Sequence, residues 1–216
     1  MFPGMGYGYG YGYGYRVDPT MMLLIPAILL TLYAQYKVSS TTNRYFNVRS
    51  DRNLTGEEVA RRILDSNGLY KVRVEKVRGR LSDHYDPRAN VVRLSEDVYS
   101  RTSITSISVA AHECGHAIQD KVGYTFMRIR AALVPLVNFS SYAGYIAILL
   151  GCIFKSLNLI WIGIFAEIII LLFQIITLPV EIDASKRAIK ELEKYDLLDN
   201  NEISGGKTMW TAAALT

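Results

Sequence analysis

Two apolar runs stand almost back to back in the second half of the chain, residues 131–154 and 157–178, with only Lys155 and Ser156 between them. The first has Asn138, Ser140 and Ser141 as its polar residues and Pro135 near its start; the second carries Glu167 and Gln174. Hydrocarbon offers no partner for backbone N–H and C=O groups, so an apolar run of roughly 20 residues that enters it must be helical. Each run is long enough to cross a bilayer, and the two-residue break makes them a helical hairpin. A third run, residues 20–36, contains Pro26 and ends in Tyr33, Tyr36 and Lys37, an interfacial anchor. It reads as a spanning helix, against the alternatives of a buried or re-entrant segment. A charge inside a span is costly unless it meets protein or water, and Glu167 is expected to make a structural polar contact within the bundle.

Residues 37–130 have the opposite character, polar and rich in local signals. Thr55-Gly56-Glu57-Glu58 has capping-box spacing and predicts a helix through Val59, Ile63 and Leu64 that stops at Asn67-Gly68. Strands are predicted over residues 71–77 and 90–94, flanking the Asp86-Pro87 turn. Such a strand can lie beside a metal-binding helix and accept a peptide backbone on its edge.

Charge supports this division. Of the 24 Lys and Arg residues, 17 fall within 37–130 and five lie beyond residue 178, which places both regions on the cytoplasmic side of the membrane. The basic residues form no recognisable nucleic-acid-binding motif, so a nucleic-acid partner is not expected. Residues 2–15, in which Gly alternates with Tyr from Gly6 to Tyr15, lack aliphatic residues to bury, and the segment 1–17 reads as a disordered tail. No cleavable signal peptide is expected. Cys114 and Cys152 give no disulfide framework and read as packing residues.

Chemistry concentrates in His112-Glu113-Cys114-Gly115-His116, the single H-E-x-x-H of the chain. On a helix predicted from Thr102 or Ser103 to about Asp120, the two histidines lie about 40° apart and one turn apart, so both imidazoles can grip one ion. Zinc suits neutral nitrogen donors, and Glu113 stands beside it as a base for water. Gly115, on the same side, leaves room for another element to approach. Catalytic zinc takes three protein ligands, and a carboxylate from elsewhere is needed. Asp120 shares the face of His116. Leu178-Pro179-Val180-Glu181-Ile182-Asp183 offers Glu181, with Asp183 as competitor, where the hairpin returns to the face it left.

With these residues in place the chain resembles the YugP-like bacterial membrane zinc metallopeptidases, neutral zinc metallopeptidase family 2. The resemblance rests on Asp18-Pro19-Thr20, Leu54-Thr55-Gly56, Val59-Ala60-Arg61-Arg62-Ile63-Leu64, Asp83-His84-Tyr85-Asp86-Pro87-Arg88, Val92-Arg93-Leu94-Ser95, the metal helix and Leu178-Pro179-Val180-Glu181. It implies a layout related to HtpX and the CAAX-prenyl endopeptidases, with H-E-x-x-H before a membrane hairpin and a ligand Glu after it. Those relatives carry an Asp four residues past that Glu, where this chain has Ser185. His84 or Tyr85 is implied as a donor to the tetrahedral intermediate. The family usually continues into a further span, for which residues 212–216 read as a possible start.

The expected fold is a mainly α membrane protein: transmembrane helices plus a small α+β zincin-like (gluzincin) domain. Its segments are the tail 1–17, spans at 20–36, 131–154 and 157–178, a catalytic region 37–130, and a segment 179–216 carrying the third ligand. The expected function is zinc-dependent endopeptidase action on membrane or unfolded proteins, with Zn2+ on His112, His116 and Glu181 and with Glu113 as base. The alternative is a non-catalytic membrane scaffold with a structural metal site closed by a fourth ligand such as Asp183 or Asp120. A transporter built around Glu167 is disfavoured by the small number of spans and the lack of an internal repeat.

Overall fold

The computed structural model describes Met22, residues 24–79 and residues 82–213; the Gly/Tyr tail and residues 214–216 lie outside that range. The chain is mostly helical, with one small sheet. The elements are α1 (Leu24–Phe46), α2 (Gly56–Ser66), β1 (Arg73–Val77), β2 (His84–Asp86), β3 (Val91–Ser95), α3 (Glu96–Ser100), α4 (Ile104–Lys121), α5 (Thr125–Ile153), α6 (Leu157–Lys194) and α7 (Asn200–Ala213).

Local signals start and stop the helices as expected. At α2, Thr55 Oγ1 accepts from the Glu58 amide at 3.2 Å while the Glu58 carboxylate accepts from the Thr55 amide at 2.8 Å, which satisfies two orphan donors reciprocally. The helix ends at Asn67, and Gly68 takes the left-handed φ of 68° that stops it. Ser103 caps α4 by accepting from the Ser106 amide at 3.1 Å.

The sheet has the order β1-β3-β2, with β1 parallel and β2 antiparallel to β3. Both predicted strands are present: β1 begins two residues later than expected and ends at the same residue, and β3 is shifted by one residue. β2 was not expected as a strand; it is three residues long and exists by pairing with β3. α4 is the centre of the packing. Its Ile107, Ala110, Ala111 and Cys114 are fully buried against Val59, Ile63 and Leu64 of α2, Val92 and Leu94 of β3, and Ala188 and Leu192 of α6. At about 1.5–3 kcal/mol for each large aliphatic side chain, this burial is what holds α4 in place.

Among the described residues, α5 and α6 are the two helices long and apolar enough to cross a membrane. They dock through small residues: a Cβ on Gly144 would stand 2.7 Å from that of Ala166, and one on Gly163 would stand 2.9 Å from the Gly144 carbonyl oxygen. Two expectations are corrected here. Glu167 is exposed and makes no hydrogen bond or ion pair with a described residue, because the seam runs along Gly163 and Ala166 and leaves the next position outside. Cys152 is exposed rather than packed, since α5 turns Gly151 into that seam; Cys114 is buried as expected, and burial pushes its thiol pKa far up. α6 runs without a break through Pro179, so the apolar run 157–178 and the segment carrying Glu181 are one helix.

Candidate metal centre

Two helices meet to build the site. α4 presents His112, Glu113 and His116 from its last turns, and α6 presents Glu181 just beyond its apolar stretch. Gly115 permits the meeting: a Cβ there would lie 2.5 Å from the Ala184 carbonyl oxygen, a distance that only a missing side chain allows.

The ligand atoms of His112, His116 and Glu181 all lie within 4.8 Å of one another and could hold a metal ion. Glu181 Oε2 is 3.1 Å from His112 Nε2 and 3.4 Å from His116 Nε2, so both imidazoles aim the same nitrogen at one point. Their opposite nitrogens are held by side chains. His112 Nδ1 is 3.2 Å from Ser185 Oγ, and His116 Nδ1 is 3.0 Å from Gln119 Oε1. Gln119 is fixed in turn, donating Nε2 at 2.8 Å to both the Val180 carbonyl and Asp183 Oδ2. With the amide nitrogen spent on two acceptors, Oε1 must face the imidazole. Nδ1 of His116 is therefore the protonated nitrogen and Nε2 is free to ligate.

Electrostatics follow the geometry. Burial is the largest influence on His116 and disfavours its charged form, but the hydrogen bond to Glu181, the charges of Glu113 and Glu181 and the Gln119 contact together outweigh it and hold the pKa above the ordinary histidine value. Burial likewise opposes ionisation of Glu181, yet hydrogen bonds from the two histidines hold its carboxyl far below the usual range. The remaining oxygen, Oε1, pairs with Arg130 of α5 at 3.2 Å.

Glu113 is buried, and its Oε2 accepts from the backbone amide of Tyr85 at 2.9 Å. Since β2 pairs with β3 on its other side, that amide belongs to the free edge of the sheet. The Tyr85 hydroxyl donates to Asp120 at 3.0 Å, and burial beside that carboxylate raises the phenol pKa.

The predicted triad and Glu113 thus come together. His84 does not join them: its ring lies on β2, exposed, with Nδ1 2.7 Å from the Ser82 carbonyl and Nε2 3.4 Å from Arg93. Asp183 and Asp120, the alternative ligands, are engaged elsewhere, by Gln119 and Arg187 and by Tyr85. Sequence reasoning missed Gln119, Arg130 and the role of Ser185. Arg130 could have been flagged as the last cation before an apolar run.

Residues 20–216 match the model of the family described as "Putative neutral zinc metallopeptidase". The chain belongs to that family. Across 196 residues this family member is 47% identical to "Putative membrane protease YugP" of Bacillus subtilis (strain 168), an alignment covering 91% of this chain and 87% of that protein. No solved structure matches the chain. The family name implies zinc, and two neutral nitrogens with one carboxylate oxygen are a donor set that zinc accepts.

Proposed function

We propose that the protein is a membrane-embedded zinc endopeptidase of gluzincin type, with His112, His116 and Glu181 as ligands and Glu113 as general base. The observation that carries this reading is the convergence of both Nε2 atoms on Glu181, from the same helix that carries Glu113. Zinc held by His112, His116 and Glu181 would supply Lewis-acid chemistry, activating a water at neutral pH and polarising the scissile carbonyl. Glu113 takes the proton of the attacking water and passes it to the leaving amine, while the Tyr85 amide fixes the carboxylate on the side of the sheet edge. The free edge of β2 is where a substrate backbone would lie. Ser185 and Gln119 keep the two imidazoles in the ligating tautomer, and Arg130 holds Glu181 by its second oxygen.

We place the hairpin and the apolar part of α1 in the bilayer, with the metal centre at the cytoplasmic surface, where membrane or unfolded proteins are the substrates. The outward apolar faces of α5 and α6 and the name of the relative support the membrane placement; the Lys and Arg distribution supports the side. The structural-metal alternative needs a fourth protein ligand, and the engagement of Asp183 and Asp120 counts against it. Metal analysis combined with casein cleavage tests the proposal. Glu113→Gln should keep stoichiometric zinc and lose cleavage by about 100- to 10,000-fold, and an active Glu113→Gln protein would refute the assignment.

A further inference from the structure

Three polar side chains of α6 fall in one line. Glu167, Gln174 and Glu181 are spaced seven residues apart, so each step turns only about 20° from the last and rises about 10.5 Å. Glu181 belongs to the metal cluster. Gln174 and Glu167 lie about 10 and 21 Å further down, within the apolar stretch. Both are exposed, and neither forms a hydrogen bond or ion pair with a described residue. Among the other hairpin polar groups, Ser140 is buried and Ser141 donates at 2.9 Å to the Val137 carbonyl of its own helix, while the Thr177 hydroxyl is buried without a partner among the described residues and Asn138 of α5 is exposed. The line flanks the α5 seam on the side where Arg130 reaches Glu181, so it leads directly to the cluster.

In hydrocarbon a carboxylate facing outward is costly until a cation or strong donor meets it. This chain supplies no cation at that depth. Residues 131–154, 157–178 and 24–36 contain no Lys, Arg or His, so a second copy packed on the same face would offer Glu167 no cation and at most the neutral amide of its Gln174. A cationic complement must come from a different protein, and the line of polar groups ends at the metal centre.

We propose that this face of α6 docks a membrane-inserted segment of the substrate, with a basic side chain of that segment against Glu167 and its end led past Gln174 to the cluster. The inference rests on the membrane peptidase reading above. It specifies the substrate: a hydrophobic segment with one basic residue about 14 positions from the bond presented at the cluster if the segment stays helical, and fewer where it unwinds.

The test uses the full-length protein in lipid nanodiscs, in a Glu113→Gln background so that binding is read without cleavage. A photocrosslinking side chain replaces Leu171, one turn from Glu167 and 54% exposed. The probes are synthetic 22-residue leucine-rich helices with Lys, Glu or Leu at the centre. The Lys peptide should be captured about fivefold more than the Leu peptide. Glu167→Leu should remove that preference at unchanged zinc content, and Glu167→Lys should turn it toward the Glu peptide. If Glu167→Leu fails to fold, as judged by lost zinc, Glu167→Gln serves in its place. Equal capture of the Lys and Leu peptides, a preference that survives Glu167→Leu, or crosslinking of Leu171 to a second copy would each overturn the proposal. Casein cleavage by the wild type is scored separately: its absence sinks the peptidase reading, while the capture result stands on binding alone.

Discussion

Above and below Pro179, helix α6 has the same kind of inner face and opposite outer ones. Below, Gly163 and Ala166 dock on α5, and the outside is Trp161, Phe165, Ile168, Leu171 and Leu172. Above, Ala184 and Ala188 dock on α4 and its surroundings, and the outside carries Lys186 and Lys190. Small residues do the same job in both halves, letting backbones approach, so they say nothing about the solvent. The outer positions do. One half is dressed for hydrocarbon and the other for water, and Glu181 sits just past the change.

The sharpest way to break this comparison is a matched pair of substitutions at similarly exposed isoleucines. Ile168 is 45% and Ile182 41% exposed. Ile168→Lys should cost about 2.5–3.5 kcal/mol of insertion free energy if the lower half lies in the bilayer. Ile182→Lys should change stability by under about 0.5 kcal/mol. Membrane-insertion yield and thermal unfolding in nanodiscs measure both, and equal effects would erase the distinction between the halves. A smaller loss, about 1–3 kcal/mol, is expected from Gly115→Ala, because its new methyl meets the Ala184 carbonyl and must push α6 away from α4. Reduced zinc retention together with a lowered Tm would show that helix contact positions Glu181.

Gln119→Leu should then weaken zinc binding by about 10- to 100-fold in a chelator competition, since His116 loses the group that fixes its tautomer. Acidification gives the mildest test. The pKa of His116 is raised in the metal-free chain, and a protonated imidazole cannot ligate. Zinc affinity should therefore be full above that pKa and fall as pH drops through it, beginning at a higher pH than an ordinary histidine would dictate. An affinity unchanged down to the ordinary histidine range would show that Glu181, Glu113 and Gln119 do not jointly raise the His116 pKa.

What could be read in advance divides along physical lines. The α2 capping box, the Ser103 cap, the H-E-x-x-H helix and the hairpin runs are local patterns whose partners lie within a few residues. The approach at Gly115 was also legible, since a glycine beside a ligand histidine has few other uses. β2 was not, because three residues carry no period and the strand exists through β3 and the Tyr85–Glu113 hydrogen bond. Nor was Gln119, because its acceptors, Val180 and Asp183, lie more than 60 positions away. Glu167 was read as an internal contact, but which side of a seam a residue takes depends on where the glycines fall.

The unbroken passage of α6 through Pro179 has a mechanical consequence. From Leu157 to Glu181 the helix is a rod of about 36 Å, so a tilt of about 5° at its far end displaces Glu181 by about 3 Å. That is the scale of the gaps within the metal cluster. With the hairpin in the bilayer and zinc at the cluster, as proposed above, a thinner or thicker bilayer would tip this rod and loosen or tighten the ligand set, making the metal grip a gauge of membrane thickness.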